Sequence, residues 1–287
     1  MRARMPPAAG GGDRVSRITS LFEQLRATGR TGLVTYTTAG DPDLERSSQI
    51  LKALDRAGAD LLEVGVPFSD PMADGPVIQR ATERALAAGG SLTATLAMLE
   101  RVRTSIAAPV VLFSYANPLM RMGLDAFVAR ASAAGVDGVL ALDLPIEEAG
   151  PFRERLAAGG LDTIFLLSPT TTEARIRRAA ELGRGFLYAI SRLGVTGARD
   201  SVATGARDLV GRIRAQTDLP VALGFGISRP AHVAEVTGYS DAAVVGSALV
   251  SLIAEAGTSD ALLDRVGEYV RELKSACSAA RSVGIDT

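Results

Sequence analysis

The chain has 287 residues, 47% of them hydrophobic, so it is long enough for one or two domains with a large buried core. Its 31 basic and 32 acidic residues leave a formal net charge of −1, which excludes the electrostatic footprint expected for binding nucleic acid or an anionic membrane surface. No apolar run reaches the ~18 residues that a membrane-spanning helix needs, and the single cysteine, Cys277, excludes an intramolecular disulfide and makes the cytoplasm the default expectation.

In chain order, Met1–Gly12 is basic and then rich in Pro, Ala and Gly, without the apolar segment of a secretory signal. Residues 1–14 are expected to form a disordered tail. Arg17–Arg26 reads as a helix. From there the chain alternates short apolar runs with Ala-, Leu- and Arg-rich segments of helical character. The expected strands are Leu33–Thr37, Leu61–Val64, Val110–Tyr115, Gly138–Leu142, Thr163–Leu167, Gly185–Ile190, Val221–Gly224 and Ala243–Gly246. The expected helices following them are Asp43–Ala57, Pro76–Arg103 (long enough for two), Leu124–Ala134, Ile146–Ala158, Glu173–Leu182, Arg207–Thr217, Arg229–Val236 and Ala248–Ala256, with Asp260–Ala280 behind. Small-residue stops such as "RAGADLLEV", "AAGVDGVLA" and "AAGGLDTIF" carry the glycine expected at a helix end.

Strands alternating with helices imply a parallel sheet with crossover helices, and continuous apolar runs are what strands buried on both faces show. Eight such units without a break in composition favour one closed (β/α)8 TIM barrel over an open doubly wound sheet. The barrel domain is expected over residues 15–275, with 276–287 as a C-terminal tail. The Arg17–Arg26 helix is placed to plug the barrel's bottom.

Two scarcities narrow the chemistry. The lysines are Lys52 and Lys274, and the histidine is His232. Lys52 falls early in a surface-type helix and Lys274 near the C-terminus, so a Schiff base, which needs a lysine in the pocket, is not expected. A zinc site needs several His or Cys ligands, which cannot be assembled here. Neither a Schiff-base lysine nor a metal is therefore expected. His232, after Pro230 at a helix start, reads as a surface or capping residue, and Cys277 in a polar helix reads as inert.

In this fold, sites lie in the loops after the C-terminal ends of the strands. The loops after strands 6, 7 and 8 read "SRLGVTGARD", "GFGIS" and "GSALV". Barrel phosphate sites recur after strands 7 and 8, where glycine N–H groups at helix starts suit an anion. Gly226, Gly246 and Ser247 are candidates, with Thr196 and Gly197 closing over them; the plainer alternative is that these glycines only make tight turns. Glu63 ends an otherwise apolar strand, and alternation points it into the barrel near its mouth. A carboxylate there needs a partner or a raised pKa, and a raised pKa suits a shuttling acid/base; the alternative is a structural glutamate held by loop N–H groups. Asp70 in "SDP" could make only an Asx turn, and Asp74 in "ADGP" could cap the next helix.

"LLEVGVPFSDPMADGPVIQRA", "GRGFLYAISRLGVTGARD", "LGFGIS" and "VVGSALV" closely resemble the α subunit of tryptophan synthase. "TTAGDPD", "YANPL" and "DLPIEEA" match in the same order, and the resemblance runs from about Asp13 to Tyr269. It implies cofactor-free retro-aldol cleavage of indole-3-glycerol phosphate to indole and glyceraldehyde 3-phosphate. It further implies that Glu63 is the acid/base, that Asp74 holds the indole N–H, and that Tyr36, Tyr115, Leu140 and Tyr188 contact the substrate, Tyr36 at a position that is often Phe. Gly197, Phe225, Gly226, Gly246 and Ser247 would bind phosphate, and Thr196 on the strand-6 loop, roughly Gly194–Thr204, would reach Asp74 on closure. That loop is expected to be mobile in the empty site. Leu193, where a small residue is usual, and "LMRMG" depart from the pattern.

The resemblance also implies a partner, a pyridoxal-phosphate-dependent β subunit in an α2β2 complex, docked at Asp70, Pro71, Asn117 and Pro118. Two alternatives are a free-standing lyase that releases indole and a non-catalytic barrel acting as an allosteric partner. Another phosphosugar barrel enzyme, such as an isomerase, stands on fold analogy alone.

Overall fold

The computed structural model describes residues 15–190, 205–224 and 226–277. Eight strands close into a barrel in sequence order: β1 (Gly32–Thr38), β2 (Leu61–Gly65), β3 (Val110–Ser114), β4 (Gly138–Ala141), β5 (Asp162–Leu167), β6 (Leu187–Ile190), β7 (Val221–Gly224) and β8 (Ala242–Val245). Every pairing is parallel, and β1 closes the ring by pairing with both β2 and β8. The expected fold is thus the observed one.

The strands sort their side chains by alternation. On β2, Leu62 and Val64 face the outer layer, in one apolar cluster with the surrounding helices, whereas Leu61 faces the interior. The interior layer holds Val34, Leu61, Val111, Leu140, Ile164, Phe186, Ala222 and Ala242. Helix α1 (Arg17–Ala27) closes that layer from below through Ile18, Phe22 and Leu25, with the Phe22 and Phe186 rings 5.6 Å apart. Its start is fixed by Ser16, which accepts from the Thr19 N–H and donates to the Asp162 carboxylate at 2.5 Å. The N-terminal helix is therefore the expected plug.

The outer helices follow in order: α2 (Leu44–Arg56), α3 (Pro76–Ala87), α4 (Leu92–Val102), α5 (Ala116–Met122), α6 (Leu124–Ala133), α7 (Ala149–Ala158), α8 (Glu173–Leu182), α9 (Ala206–Arg214), α10 (Pro230–Thr237), α11 (Ser247–Ala256) and α12 (Leu262–Ala276). The long Pro76–Arg103 segment divides at Gly89–Gly90 into α3 and α4, as its length suggested; Gly89 has a φ of +85°. Helix α5 was not expected, because "YANPL" reads as a loop. It starts on Tyr115, and Pro118 falls within its first turn, where a missing N–H costs nothing.

Three residues that received no part in the chemistry are held in place by packing and pairing. His232 is 4% exposed, and its Nδ1 accepts from the Ser228 N–H at 3.4 Å, so it ties the strand-7 loop to α10 rather than lying on the surface. Cys277, at the end of α12, is 2% exposed, and its carbonyl accepts from the Thr31 hydroxyl. Lys274 pairs with Asp60, which also accepts the Leu33 N–H, so both charges belong to the seam between α12 and the barrel. Among the described residues no helix is long and apolar enough to cross a membrane.

Candidate active site

A cavity of about 300 Å³ opens at the C-terminal mouth of the barrel. Its floor and walls are apolar: Phe113, Leu166, Ile190 and Val244 from the strands, Leu142 just past β4, and Val77 and Ile78 from α3. Two carboxyl groups, Glu63 and Asp74, and two phenols, Tyr36 and Tyr188, enter this lining.

Glu63 is 1% exposed, and its Oε1 has no hydrogen-bond partner among the described residues. Burial alone pushes its pKa from 4.5 up to about 8. No N–H among the described residues satisfies that oxygen, so the reading of Glu63 as a structural glutamate held by backbone donors lacks its main support there. Asp74 has a different setting. Gly75, not Asp74, is the N-cap of α3, and no side chain caps that helix. The Asp74 carboxylate instead accepts from the Tyr115 hydroxyl at 3.1 Å. Burial raises the Asp74 pKa and the Tyr115 hydrogen bond partly offsets that rise, leaving it at about 6.

Tyr115 is placed as the strut of this loop. Its hydroxyl accepts from the Ala73 N–H at 2.9 Å and donates to Asp74, and its ring lies 5.2 Å from that of Phe68. It is not among the residues lining the cavity. The Gln79 side chain donates to the Asp74 carbonyl at 2.8 Å and fixes the same loop from α3.

The two phenols reach the cavity because two glycines leave room for them. A Cβ at Gly65 would collide with the Tyr36 hydroxyl and come within 2.6 Å of its Cζ. A Cβ at Gly224 would collide with the Tyr188 hydroxyl and come within 2.9 Å of its Cζ. The Tyr36 ring also meets Phe113 edge-on at 5.3 Å. Sequence reasoning singled out neither glycine. A strand-end glycine inside an apolar run is the signal that could have found them.

At the other end of the cavity, Gly226 adopts φ +73°, Gly246 is the N-cap of α11, and Ser247 is its first residue. Ser247, Ala248 and, one turn on, Ser251 line the cavity beside Gly226 and Ser228. First-turn N–H groups of a helix lack intrahelical acceptors and suit an anion. Thr196, Gly197, Leu193, Phe225 and the Gly194–Thr204 segment lie outside the described residues.

Leu140 is fully buried in the layer below the cavity, with Leu61 and Val111. Two residues on, just past the end of β4, Leu142 lines the cavity instead. Alternation gave the right face; the height above the barrel floor decides which leucine meets the cavity. Exposed Asp70 and Asn117, with half-buried Pro71 and Pro118, lie on the loop after β2 and on α5. Asp70 accepts from the Ser69 hydroxyl at 2.6 Å. Met72 and Met120, 87% and 47% exposed, add unburied apolar surface on the same two segments.

The sequence model of the family described as "Tryptophan synthase alpha chain" matches residues 22–278. The tryptophan synthase alpha chain of Geobacter sulfurreducens is 50% identical over 262 residues, covering 91% of this chain and 99% of the relative. That of Solibacter usitatus is 48% identical over 260 residues, covering 91% and 97%. Among solved structures, tryptophan synthase of Mycobacterium tuberculosis superposes with a TM-score of 0.85 at 39% identity, covering 92% of this chain and 99% of that one. The alpha subunit of the Legionella pneumophila enzyme gives 0.84 at 36% identity, with the same coverage. A barrel with one buried and one half-buried carboxyl group at its mouth and a match of this extent have one reading: the chain belongs to the tryptophan synthase alpha chain family.

Proposed function

We propose that this chain cleaves indole-3-glycerol phosphate to indole and glyceraldehyde 3-phosphate, with Glu63 as the shuttling acid/base and Asp74 as the fixed anion. As a family member it is a carbon–carbon lyase of tryptophan biosynthesis. The observation that carries the residue assignment is the different setting of the two carboxyl groups: Glu63 is fully buried with an oxygen that no described residue pairs, whereas half-buried Asp74 accepts from the Tyr115 hydroxyl. These settings push the first up to about 8 and leave the second at about 6. Between those values Glu63 holds its proton while Asp74 is ionised. Carboxyl groups whose environments separate them in this way divide into acid and anion.

The reaction follows from that division. Glu63 gives its proton to indole C3, and the resulting cation spreads toward N1. Asp74, ionised and held by Tyr115, stabilises that charge at the N1–H. Glu63, now a carboxylate, takes the proton from the C3′ hydroxyl as the C3–C3′ bond breaks. The bond's electron pair returns to the indole ring, the aldehyde forms, and Glu63 is again protonated. The ring itself is the electron sink, so the step asks for neither a lysine nor a metal. Phe113, Leu142, Leu166 and Tyr188 would wall the indole, and Gly226, Gly246 and Ser247 would receive the phosphate. We take residues 15–275 as the catalytic unit.

The family works with a beta chain. We assign this chain the same partner, in an α2β2 complex, docked through Asp70, Pro71, Asn117 and Pro118; the exposed Met72 and Met120 beside them support an apolar contact there. Cytoplasmic residence goes with that role. The test is indole release from indole-3-glycerol phosphate with and without a tryptophan synthase β subunit. Weak release that the β subunit strongly activates is the expected result. High release by the chain alone would mark a free-standing lyase, and none in either mixture would overturn the assignment.

A further inference from the structure

Tyr36 stands out because its phenol has no settled role in the steps above. It is 5% exposed, and on β1 it is the register partner of Glu63 on β2. Its hydroxyl lies over Gly65, two residues beyond Glu63 on the same strand face. The Phe113 ring, edge-on at 5.3 Å, keeps the phenol in that place. Among the described residues the hydroxyl's one partner is the Thr38 Oγ1 at 3.5 Å, well beyond the roughly 2.7–2.8 Å of a good O–H···O bond. Among the described residues the Tyr36 hydroxyl thus lacks a good acceptor and the Glu63 Oε1 lacks a partner, and both residues line the same cavity. Asp74 has no such need, since Tyr115 already donates to it.

We propose that Tyr36 is a positioning residue whose hydroxyl donates to Glu63 once Glu63 has given its proton to the substrate. The inference rests on the reading of Glu63 as the acid/base. In the resting site Glu63 is protonated and needs no donor. After transfer it is a carboxylate in an apolar cavity, and the Tyr36 O–H turns from the weak Thr38 contact to it. The phenol keeps its proton throughout: burial, then the charge of Asp74, and less strongly that of Glu63, all push its pKa up. The bond therefore stabilises the intermediate without consuming a proton, and it is released when Glu63 takes the C3′ hydroxyl proton. The other titratable groups facing Glu63 are Tyr188 from β6, also raised by burial and by Glu63, and Asp74 from the strand-2 loop with Tyr115 behind it.

The test is Tyr36→Phe, which keeps the ring and its packing against Phe113 and removes only the hydroxyl. Two measurements are made on wild type and variant: the pH profile of kcat for indole release, and the infrared carbonyl band of protonated Glu63 across pH in the unliganded protein, assigned by its absence in Glu63→Gln. A hydrogen bond to a charged group is worth enough for a fall in kcat of about tenfold or more. KM should change little, and the alkaline limb of kcat should move to higher pH, since an ionised Glu63 has lost its donor. The infrared titration should move the same way. Unchanged kcat and limb would overturn the proposal, as would a fall in kcat with limb and band both unmoved, which is the signature of a packing role. Wild type that releases no indole would overturn the functional reading and this inference with it, whereas wild-type release with an indifferent variant overturns this inference alone.

Discussion

Replacing Glu63 by Gln should make the protein more resistant to unfolding at alkaline pH while abolishing indole release. The glutamate is 1% exposed with an unpaired oxygen, and burial lifts its pKa from 4.5 to about 8. Below pH 4.5 the group is protonated in both folded and unfolded chains, and the folded state carries no penalty. Between 4.5 and about 8 the unfolded chain releases the proton and the folded chain holds it. Stability then falls as pH rises, at about 1.4 kcal/mol per pH unit. Across the interval this reaches roughly 4–5 kcal/mol, a large part of a typical domain's margin of about 5–15 kcal/mol. Gln cannot ionise, so the variant lacks this slope; its buried amide adds only an offset that does not depend on pH. Denaturant unfolding of both proteins at intervals from pH 4.5 to 8.5 gives a difference curve in which every other titrating group largely cancels. The difference should grow in favour of Glu63→Gln and level off above about 8. Parallel curves across the whole range would refute the reasoning, because they would mean that the folded state leaves Glu63 at its ordinary pKa.

Three further perturbations separate the parts of the site. Tyr115→Phe removes the bond that keeps the Asp74 pKa from rising beyond about 6, so the acidic limb of the pH–rate profile should move upward and kcat near pH 6 should fall about tenfold or more; an unmoved limb counts against the role given to Tyr115. Gly65→Ala places a Cβ against the Tyr36 phenol, so it should cost roughly 1–3 kcal/mol in denaturant unfolding, and adding Tyr36→Phe should relieve only part of that cost because the Cζ contact at 2.6 Å remains. Leu140→Ala should cost about 2–5 kcal/mol of stability, as for a fully buried leucine, with a small effect on KM, whereas Leu142→Ala should raise KM with a smaller loss of stability; equal effects of the two would contradict their placement at different heights in the barrel.

Much of the architecture was legible because parallel barrel strands carry their burial on both faces and so read as apolar runs, and the alternation with helices fixes the topology. Glu63 was legible for the same reason, since a carboxyl group is conspicuous in such a run and period-2 alternation assigns its face. Height along the barrel axis was harder. Leu140 and Leu142 share a face, and only the curvature and closure of the barrel decide which one meets the cavity. The glycine sockets at Gly65 and Gly224 depend on the reach of tyrosines from neighbouring strands, a non-local fact that no single segment encodes. Tyr115 was placed in the site, but its action through Asp74 follows from the loop's path across α5, which "YANPL" did not announce. The depth of His232 and Cys277 likewise comes from packing between elements far apart in sequence.

The most direct measurement is the yield of indole and of glyceraldehyde 3-phosphate from indole-3-glycerol phosphate, in the presence of a tryptophan synthase β subunit, for wild type and for Glu63→Gln. The account predicts equal amounts of both products from wild type and neither from the variant. Cleavage by Glu63→Gln at a rate near that of wild type would contradict it, because the proton delivered to the indole ring would then have to come from another group.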